Sequence, residues 1–343
     1  MGCRRSAVAG GCPRVAVRGL SSPFTRGIIL AALLGIAATA LVVAWGDAPV
    51  VLRALSGFPP LFVLPVLLLT VWNYTLRFLR WHVYLRVLGV HGISHLDSAL
   101  IFLSGFAMGL TPGKSGELTK SYWLRELASP GSAPLARTAP IVFAERLVDG
   151  IAMLLLAAAG LVSFRFGVLP LLGVAALAVL AVTVLQARPL IDGVLERATR
   201  RPRLSRIAVA LATAYDSTRE LLTWPRLAAA VLLGVLSWGG ECLALYVILL
   251  GLGAAPSLEL LNQATFALAA GSLVGSASLL PGGIGAAEGT VAGVLDLVAH
   301  QPSAVAAAAT LLIRLCTLWF GVALGAAALL LLTRKALSEP VRA

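Results

Sequence analysis

Long apolar runs separated by short polar segments dominate the pattern of this chain. The runs cover residues 27–45, 60–76, 98–111, 139–163, 168–187, 226–250, 264–280, 284–299 and 305–332. Several of them reach the ~20 residues that a helix needs to cross a hydrocarbon core about 30 Å thick. The pattern therefore predicts an all-α fold, a polytopic bundle of transmembrane helices.

Two breaks between apolar runs share a Pro-Gly turn that precedes a glutamate. Their turn residues are Pro112, Gly113 and Gly116 in the first break, and Pro281, Gly282, Gly283 and Gly285 in the second. The run 98–111 has 14 residues, which make only about 21 Å of helix and are too few for a span. The runs on either side of the second break are also short. The pattern favours two re-entrant hairpins, near 98–127 and 264–299.

A Pro-Gly break at membrane depth frees backbone groups that lipid cannot satisfy. Such a break is tolerated only where protein or a water-filled cavity surrounds it, so the hairpins are expected to line a cavity. The alternative is that these glycines only permit close packing of helices. The two breaks also resemble each other, as an inverted repeat would require, although chance similarity of glycine-rich turns is the alternative.

The Lys and Arg residues predict an orientation. Five lie in the tail 1–26, three in segment 77–92, four in loop 112–138 and eight in loop 188–226. If 98–111 crossed the membrane, both large basic loops would lie outside, against the positive-inside tendency. A hairpin keeps both inside. We therefore expect one domain, 27–333, with six spans and two opposed hairpins, in the cell (inner or plasma) membrane. The tails 1–26 and 334–343 and the loop 188–225 are then cytoplasmic.

Composition changes this picture little. Hydrophobic residues make up 59% and charged residues 12% of the chain, against about 25% charged in a soluble domain. The net charge of +12 follows from the basic loops, so no nucleic-acid partner is expected. His91 and His95, near Asp97, lack any metal-site signature and read as a solvated loop. We expect no metal and no cofactor. Because no catalytic motif is present, we also expect that the chain is not an enzyme.

Ionisable residues in or near the apolar runs are the candidate substrate-binding residues. They are Lys114, Glu117, Lys120, Glu145, Arg146, Asp149, Glu241, Glu288 and Arg314. Each costs roughly 2.5–3.5 kcal/mol at the bilayer centre, which favours mutual pairing. One hypothesis is that static ion pairs fix the helix packing. The other is a polar pocket that receives an anionic lipid head group.

Helical geometry separates the charges of the run 139–163. Glu145 and Asp149 share one helix face, while Arg146 points to a different neighbour. A pair between Arg146 or Arg314 and Glu241 or Glu288 is a further expectation.

Basic and aromatic residues alternate in segment 73–87. We interpret Arg77, Arg80 and Trp81 as interfacial residues at the end of a span, with the rings at head-group level. Membrane anchoring is the favoured role, and substrate gating is the alternative.

The chain resembles a known family at three motifs. These are 111–117 (TPGKSGE), 145–149 (ERLVD) and 280–289 (LPGGIGAAEG), which are similar to those of the flippase-like transmembrane domain of lysylphosphatidylglycerol synthases and of related stand-alone membrane proteins. Lys120 departs from the arginine expected after the Gly-Glu motif and lacks its bidentate fork. No soluble aminoacyltransferase domain follows in this sequence.

The resemblance implies lipid handling. We expect a transporter or flippase that moves a polar or anionic lipid between leaflets, with membrane lipids bearing phosphate head groups as its partners. The lipid classes in view are phospholipids, aminoacyl-phospholipids and polyprenyl-phosphate-linked lipids. The alternative is an intramembrane enzyme, or a partner subunit of a lipid-modifying enzyme, in a glycosyl- or aminoacyl-transfer pathway with Glu117 and Glu288 as acid/base residues.

Overall fold

A computed structural model describes residues 33–111, 116–161 and 205–338 and the isolated positions 172, 173, 176 and 183. Within these ranges every regular element is helical, which confirms the all-α prediction. The helices are α1 Leu33–Trp45, α2 Ala48–Ser56, α3 Val63–Val87, α4 His95–Met108, α5 Thr119–Leu127, α6 Leu135–Thr138, α7 Pro140–Gly160, α8 Ser205–Leu221, α9 Trp224–Gly251, α10 Leu258–Ala277, α11 Ala286–Gly293, α12 Ser303–Arg314 and α13 Phe320–Ser338. Short π-helical segments, Val294–Val298 and Leu315–Trp319, follow α11 and α12.

Three helical segments in the described ranges are long and apolar enough to cross a membrane. They are Pro60–Val87, Trp224–Gly251 and Ser303–Leu337. They contain the whole of the predicted runs 60–76, 226–250 and 305–332. Helices α1 and α2 form a pair bent by 101°. Helix α7 coincides with the predicted run 139–163 but carries three charges. The predicted run 168–187, the tail 1–26 and residues 27–32 lie outside the described residues, apart from the isolated positions.

Polar contacts fix the packing of the two 28-residue spans. Asn73 of α3 donates a hydrogen bond to the Ser237 carbonyl of α9 at 3.1 Å, and Trp72 donates to the Leu236 carbonyl at 3.3 Å. Helix α7 packs against α9 and α10. A Cβ built on Gly160 of α7 would lie 2.6 Å from the Phe266 backbone nitrogen of α10. This glycine permits the close approach of those two helices.

Both predicted breaks form helical hairpins. Helix α5 folds back on α4, with the Lys120 side chain against Gly105. Helix α11 folds back on α10, where a Cβ on Gly271 would meet Val291. The turn glycine Gly282 has a φ of 61°, in the left-handed region that favours glycine.

The tips of the two hairpins meet beside the long segment Ser303–Leu337. Gly282 of the second tip donates a backbone hydrogen bond to the Gly109 carbonyl of the first tip at 3.3 Å. Helix α4 runs along α13, so that Asp97 at its start contacts Lys335. Helix α11 runs along α12 instead. The hairpins therefore lie on opposite halves of one long helical segment, with their bases at opposite ends of the bundle.

Each end of the bundle has its own hydrophobic core. The core of one end, which we call the basic end, includes Leu88, Leu124, Leu222, Leu227 and Leu332. The core of the opposite end includes Phe58, Leu249, Leu260, Leu295 and Ala306. The segments that follow α3 and α5, that precede α9 and that end α13 therefore lie together at the basic end.

The two ends differ in charge. The described segments of the opposite end are 46–62, 251–258 and 296–303. Arg53 is their one Lys or Arg, and they also contain Asp47 and Asp296. The segments of the basic end carry Arg86, Arg125, Arg137, Arg226 and Arg334. This is the asymmetry that the positive-inside tendency describes for membrane proteins.

Candidate functional site

The first hairpin and α7 are joined by two ion pairs. Lys120 Nζ lies 2.5 Å from Glu145 Oε2. The Arg146 guanidinium donates two hydrogen bonds to the Glu117 carboxylate, one of them from Nε to Oε2 at 3.1 Å. Glu117, Lys120 and Glu145 are buried, whereas the Arg146 side chain is 33% exposed. Because Glu145 and Arg146 point in different directions, adjacent residues of one helix hold two residues of the hairpin.

Helix α3 adds two arginines to the same place. Arg80 Nη2 lies 2.6 Å from Asp149 Oδ1, and Arg77 Nη2 lies 3.4 Å from Asp149 Oδ2. Arg146 Nη1 is 4.0 Å from the same carboxylate. Residues 77 and 80 are three positions apart and share a helix face. Asp149 is thus a shared partner of three arginines.

The structure corrects the interfacial interpretation of Arg77, Arg80 and Trp81. Arg80 and Trp81 are each only 1% exposed, so their side chains lie inside the bundle and do not face lipid head groups. Asp149 stabilises the two arginines there. A signal for this was present in the sequence, because α3 repeats a polar residue at Thr70, Asn73, Arg77 and Arg80. That spacing marks one polar face on an otherwise apolar helix.

Glu241 of α9 completes a group of eight ionisable side chains. We call this group the central cluster: Arg77, Arg80, Glu117, Lys120, Glu145, Arg146, Asp149 and Glu241. Glu241 is 6% exposed and makes no ion pair or hydrogen bond to a described residue. It interacts electrostatically with Arg77, Asp149 and Arg314. The cluster has four cations and four carboxylates. Its three closest ion pairs are Arg80–Asp149, Lys120–Glu145 and Arg146–Glu117. Arg77 and Glu241 belong to none of these three pairs.

Aromatic rings pack against two cations of the central cluster, Arg77 and Lys120. The Arg77 guanidinium lies over Phe106 at 5.5 Å and over Trp238 at 5.4 Å from the ring centroids. Lys120 Nζ lies 4.8 Å from the centroid of Trp81. Cation–π contacts of this kind stabilise a charge without neutralising it.

Several donors of the site have no acceptor in the described part of the chain. They are Arg77 Nε, Arg80 Nε, Arg80 Nη1 and Trp238 Nε1, all of them buried. Buried polar groups are nearly always paired, so each unpaired donor needs a specific explanation. A bound oxyanion would supply the acceptors, since charge-assisted hydrogen bonds from arginine are among the strongest in proteins.

The second hairpin has its own ion pair. Arg314 Nε lies 2.6 Å from Glu288 Oε1, and Arg314 Nη2 donates to the Gly282 carbonyl at 3.0 Å. Glu288 Oε2 accepts from the Gly285 backbone N–H at 2.7 Å. These side chains satisfy backbone groups that the turn leaves free inside the bundle. The expected Arg314–Glu288 pair is therefore present, whereas Arg146 pairs with Glu117 rather than with Glu241 or Glu288.

The first tip is described in part. Thr111 Oγ1 accepts a hydrogen bond from the Gly116 backbone N–H at 2.7 Å and donates one to the Met108 carbonyl at 2.8 Å. Pro112, Gly113 and Lys114 lie outside the described residues. In the ranges described, His, Cys, Asp and Glu side chains form no group of three suited to a metal ion. His95 begins α4, so only His91 of the two histidines lies in the predicted loop.

The family comparison agrees with the motifs. The model of the family described as the lysylphosphatidylglycerol synthase TM region matches residues 29–325. A stretch of 109 residues is 37% identical to a UPF0104 membrane protein of Methanothermobacter thermautotrophicus, and it covers 32% of this chain and 31% of that protein. The chain thus spans about a third of that relative. With the family model matching most of its length, this membrane protein belongs to the lysylphosphatidylglycerol synthase transmembrane-region family.

Proposed function

We propose that the chain is a lipid transporter that moves a lipid with a phosphate-bearing head group between leaflets. The central cluster, next to the meeting point of the two hairpin tips, is the observation that supports this proposal. Eight ionisable side chains inside a membrane bundle are costly, at roughly 2.5–3.5 kcal/mol each on insertion scales. Residues of this kind mark substrate and ion pathways in membrane proteins.

The head-group phosphate would bind between Arg77 and Arg146. Arg77 is the cation left over by the three closest ion pairs, and its Nε is an unpaired buried donor. Arg146 is the most exposed of the ion-paired cations of the cluster, at 33%. A phosphate placed here would gain charge-assisted hydrogen bonds from both guanidinium groups. Glu241 would then face any ammonium group that the head group carries.

The alternative of an intramembrane enzyme has weaker support. Glu117 and Glu288 were the residues expected to serve as acid and base. Each carboxylate is held by an arginine, at Arg146 and Arg314 respectively, so both side chains already serve in charge-assisted hydrogen bonds within the bundle. We therefore propose a non-enzymatic role. The sequence has no P-loop, so transport would be passive or coupled to an ion.

We also propose that both hairpins are re-entrant, with the basic end facing the cytoplasm. Cysteine labelling tests this orientation with Pro130→Cys at the basic end and Ala255→Cys at the opposite end, both at exposed positions. The background replaces the four native cysteines. A membrane-impermeant maleimide added to intact cells should label only position 255. Labelling of position 130 from outside, or of both positions from one side, would refute the topology.

Reconstitution tests the transport proposal. Proteoliposomes would carry lipids with a fluorescent label on a hydrocarbon chain, in a panel of phosphatidylglycerol, a polyprenyl phosphate and an uncharged glycolipid. An impermeant reductant then bleaches the outer leaflet. We expect the protein to increase bleaching of at least one phosphate lipid beyond the outer-leaflet fraction, with little effect on the glycolipid. Arg77→Gln should abolish the increase, whereas the exposed Arg125→Gln should not. Equal exchange in liposomes with and without protein for every phosphate lipid would refute the proposal.

A further inference from the structure

A second polar site lies at the basic end, apart from the central cluster. It is a cavity of about 230 Å³ between the end of α3 and the start of α4. Its polar lining, which we call the histidine pocket, consists of His82, Arg86, His91, Ser94, His95 and Ser98. Three of the four histidines of the chain are gathered here.

Two groups of the histidine pocket are already used by local contacts: His91 Nδ1 lies 2.8 Å from the Gly89 carbonyl, and Ser94 Oγ donates to Asp97 Oδ2 at 2.7 Å. The rings of His82 and His95 lie 5.3 Å apart, and His82 Nδ1 is buried without a partner. Arg86 is exposed and makes no ion pair with a described residue. The nearest carboxylate, Asp97, already binds Lys335 at 2.8 and 2.9 Å. Since the Asp97 carboxylate is shared by Ser94 and Lys335, the lining groups left for a ligand are the imidazoles of His82 and His95 and the permanent cation of Arg86.

We propose that the histidine pocket binds the phosphate of a lipid head group and loads it toward the central cluster. This proposal rests on the transport function proposed above. An arginine beside imidazole and serine donors suits a phosphate oxyanion, through charge-assisted hydrogen bonds. A volume of about 230 Å³ is below the ~300–1,000 Å³ of pockets that enclose a drug-sized molecule. It fits a head group whose acyl chains remain in the bilayer.

Trp81 contacts both the histidine pocket and the central cluster. Trp81 Nε1 donates a hydrogen bond to Ser98 Oγ at 3.1 Å, and Ser98 lines the pocket. The ring of the same tryptophan lies 4.8 Å from Lys120 Nζ in the central cluster. A head group that displaced the indole from Ser98 would reach a lysine directly behind it. Trp81 thus lies where a gate between the two sites is needed.

Histidine footprinting tests phosphate binding without requiring transport. Diethyl pyrocarbonate modifies accessible imidazoles, and mass spectrometry gives the rate at each histidine. His300, exposed at the opposite end, is an internal control. Nanodiscs of an uncharged digalactosyl lipid provide a phosphate-free background, to which phosphatidylglycerol or free inorganic phosphate is added. With phosphatidylglycerol at about ten times its dissociation constant, mass action should slow modification of His95 about tenfold.

The expected result is protection of His95 but not of His300, and loss of that protection in Arg86→Gln. Arg125→Gln, another exposed arginine of the basic end, should retain it. Protection by phosphatidylglycerol and not by inorganic phosphate identifies a lipid head group, whereas protection by inorganic phosphate alone overturns the loading role. Equal rates with and without phosphatidylglycerol, or protection unchanged in Arg86→Gln, would overturn the site. Footprinting in nanodiscs reads binding alone, so its outcome is independent of whether the reconstituted protein exchanges lipid.

Loading is tested at Trp81. Trp81→Phe removes the hydrogen bond to Ser98 but keeps a ring over Lys120. It should preserve the footprint at His95 and change the rate of lipid exchange several-fold. An exchange rate equal to that of the wild-type protein would refute the gate while leaving the transport proposal intact.

Discussion

Replacing Arg80 by methionine tests whether the central cluster is held together by its buried ion pairs. The Arg80 side chain is 2% exposed and lies 2.6 Å from the Asp149 carboxylate, which is itself 7% exposed. Removing one partner of a buried pair costs about 3–5 kcal/mol, because the other charge stays buried without compensation. Asp149 would keep Arg77 at 3.4 Å and Arg146 at 4.0 Å. We therefore expect a loss near the lower value, about 3 kcal/mol.

The assay is unfolding of the purified protein in mixed micelles by increasing fractions of sodium dodecyl sulfate, followed by tryptophan fluorescence. Arg86→Met is the matched control, since Arg86 is on the same helix, exposed and without an ion pair to a described residue. Its cost should be within about 0.5 kcal/mol. The double variant Arg80→Met/Asp149→Leu also takes from the buried Arg77 the carboxylate that it contacts, so it should be no more stable than Arg80→Met. The reasoning fails if Arg80→Met is as mild as Arg86→Met, or if the double variant is as stable as the wild-type protein.

Three further predictions concern the charges and turns. Glu241→Gln should raise the free energy of unfolding or leave it unchanged, because it removes a buried charge that has no direct partner among the described residues, but should slow exchange of ammonium-bearing lipids more than that of phosphatidylglycerol in the liposome assay. Gly283→Ala should destabilise by about 1–3 kcal/mol, because φ is 67° and the new Cβ would lie 3.0 Å from backbone atoms of α10, whereas Gly289→Ala, with open space around it, should be neutral or stabilising in the same titration. Arg314→Lys should cost about 1–3 kcal/mol, since one ammonium cannot replace the two separate hydrogen bonds to Glu288 and a tip carbonyl; stability equal to wild type would contradict that role.

The hairpin breaks could be predicted because their signals are local. A Pro-Gly turn ends a helix wherever it occurs, and a 14-residue run is too short to be read as a span. The Lys and Arg counts then predicted that the segments after α3, after α5 and before α9 lie on the same side of the membrane. The structure brings these segments together at the basic end, and the two hairpin tips meet at Gly109 and Gly282.

The choice of ionic partners could not be predicted in the same way. The sequence suggests Glu241 or Glu288 as the partner of Arg146, whereas the fold-back of α5 brings Glu117 within its reach instead. Arg80 was assigned to the membrane interface because interleaved basic and aromatic residues are common there. Its burial depends on Asp149, which is 69 residues away in sequence. Pairing at such separations is a property of helix packing, which the periodicity of a single segment does not contain.

The charge balance of the central cluster argues against a purely structural role. Ion pairs that only lock helices need each charge matched, because a buried charge without a partner costs free energy. Three pairs meet that requirement, yet α3 and α9 contribute Arg77 and Glu241 in addition. Arg77 lies 3.4 Å from an aspartate that Arg80 already holds at 2.6 Å, between two aromatic rings, while Glu241 has no direct partner among the described residues. A cation and a carboxylate that are not paired with each other add a desolvation cost, and a head group that carries both charges would satisfy them together.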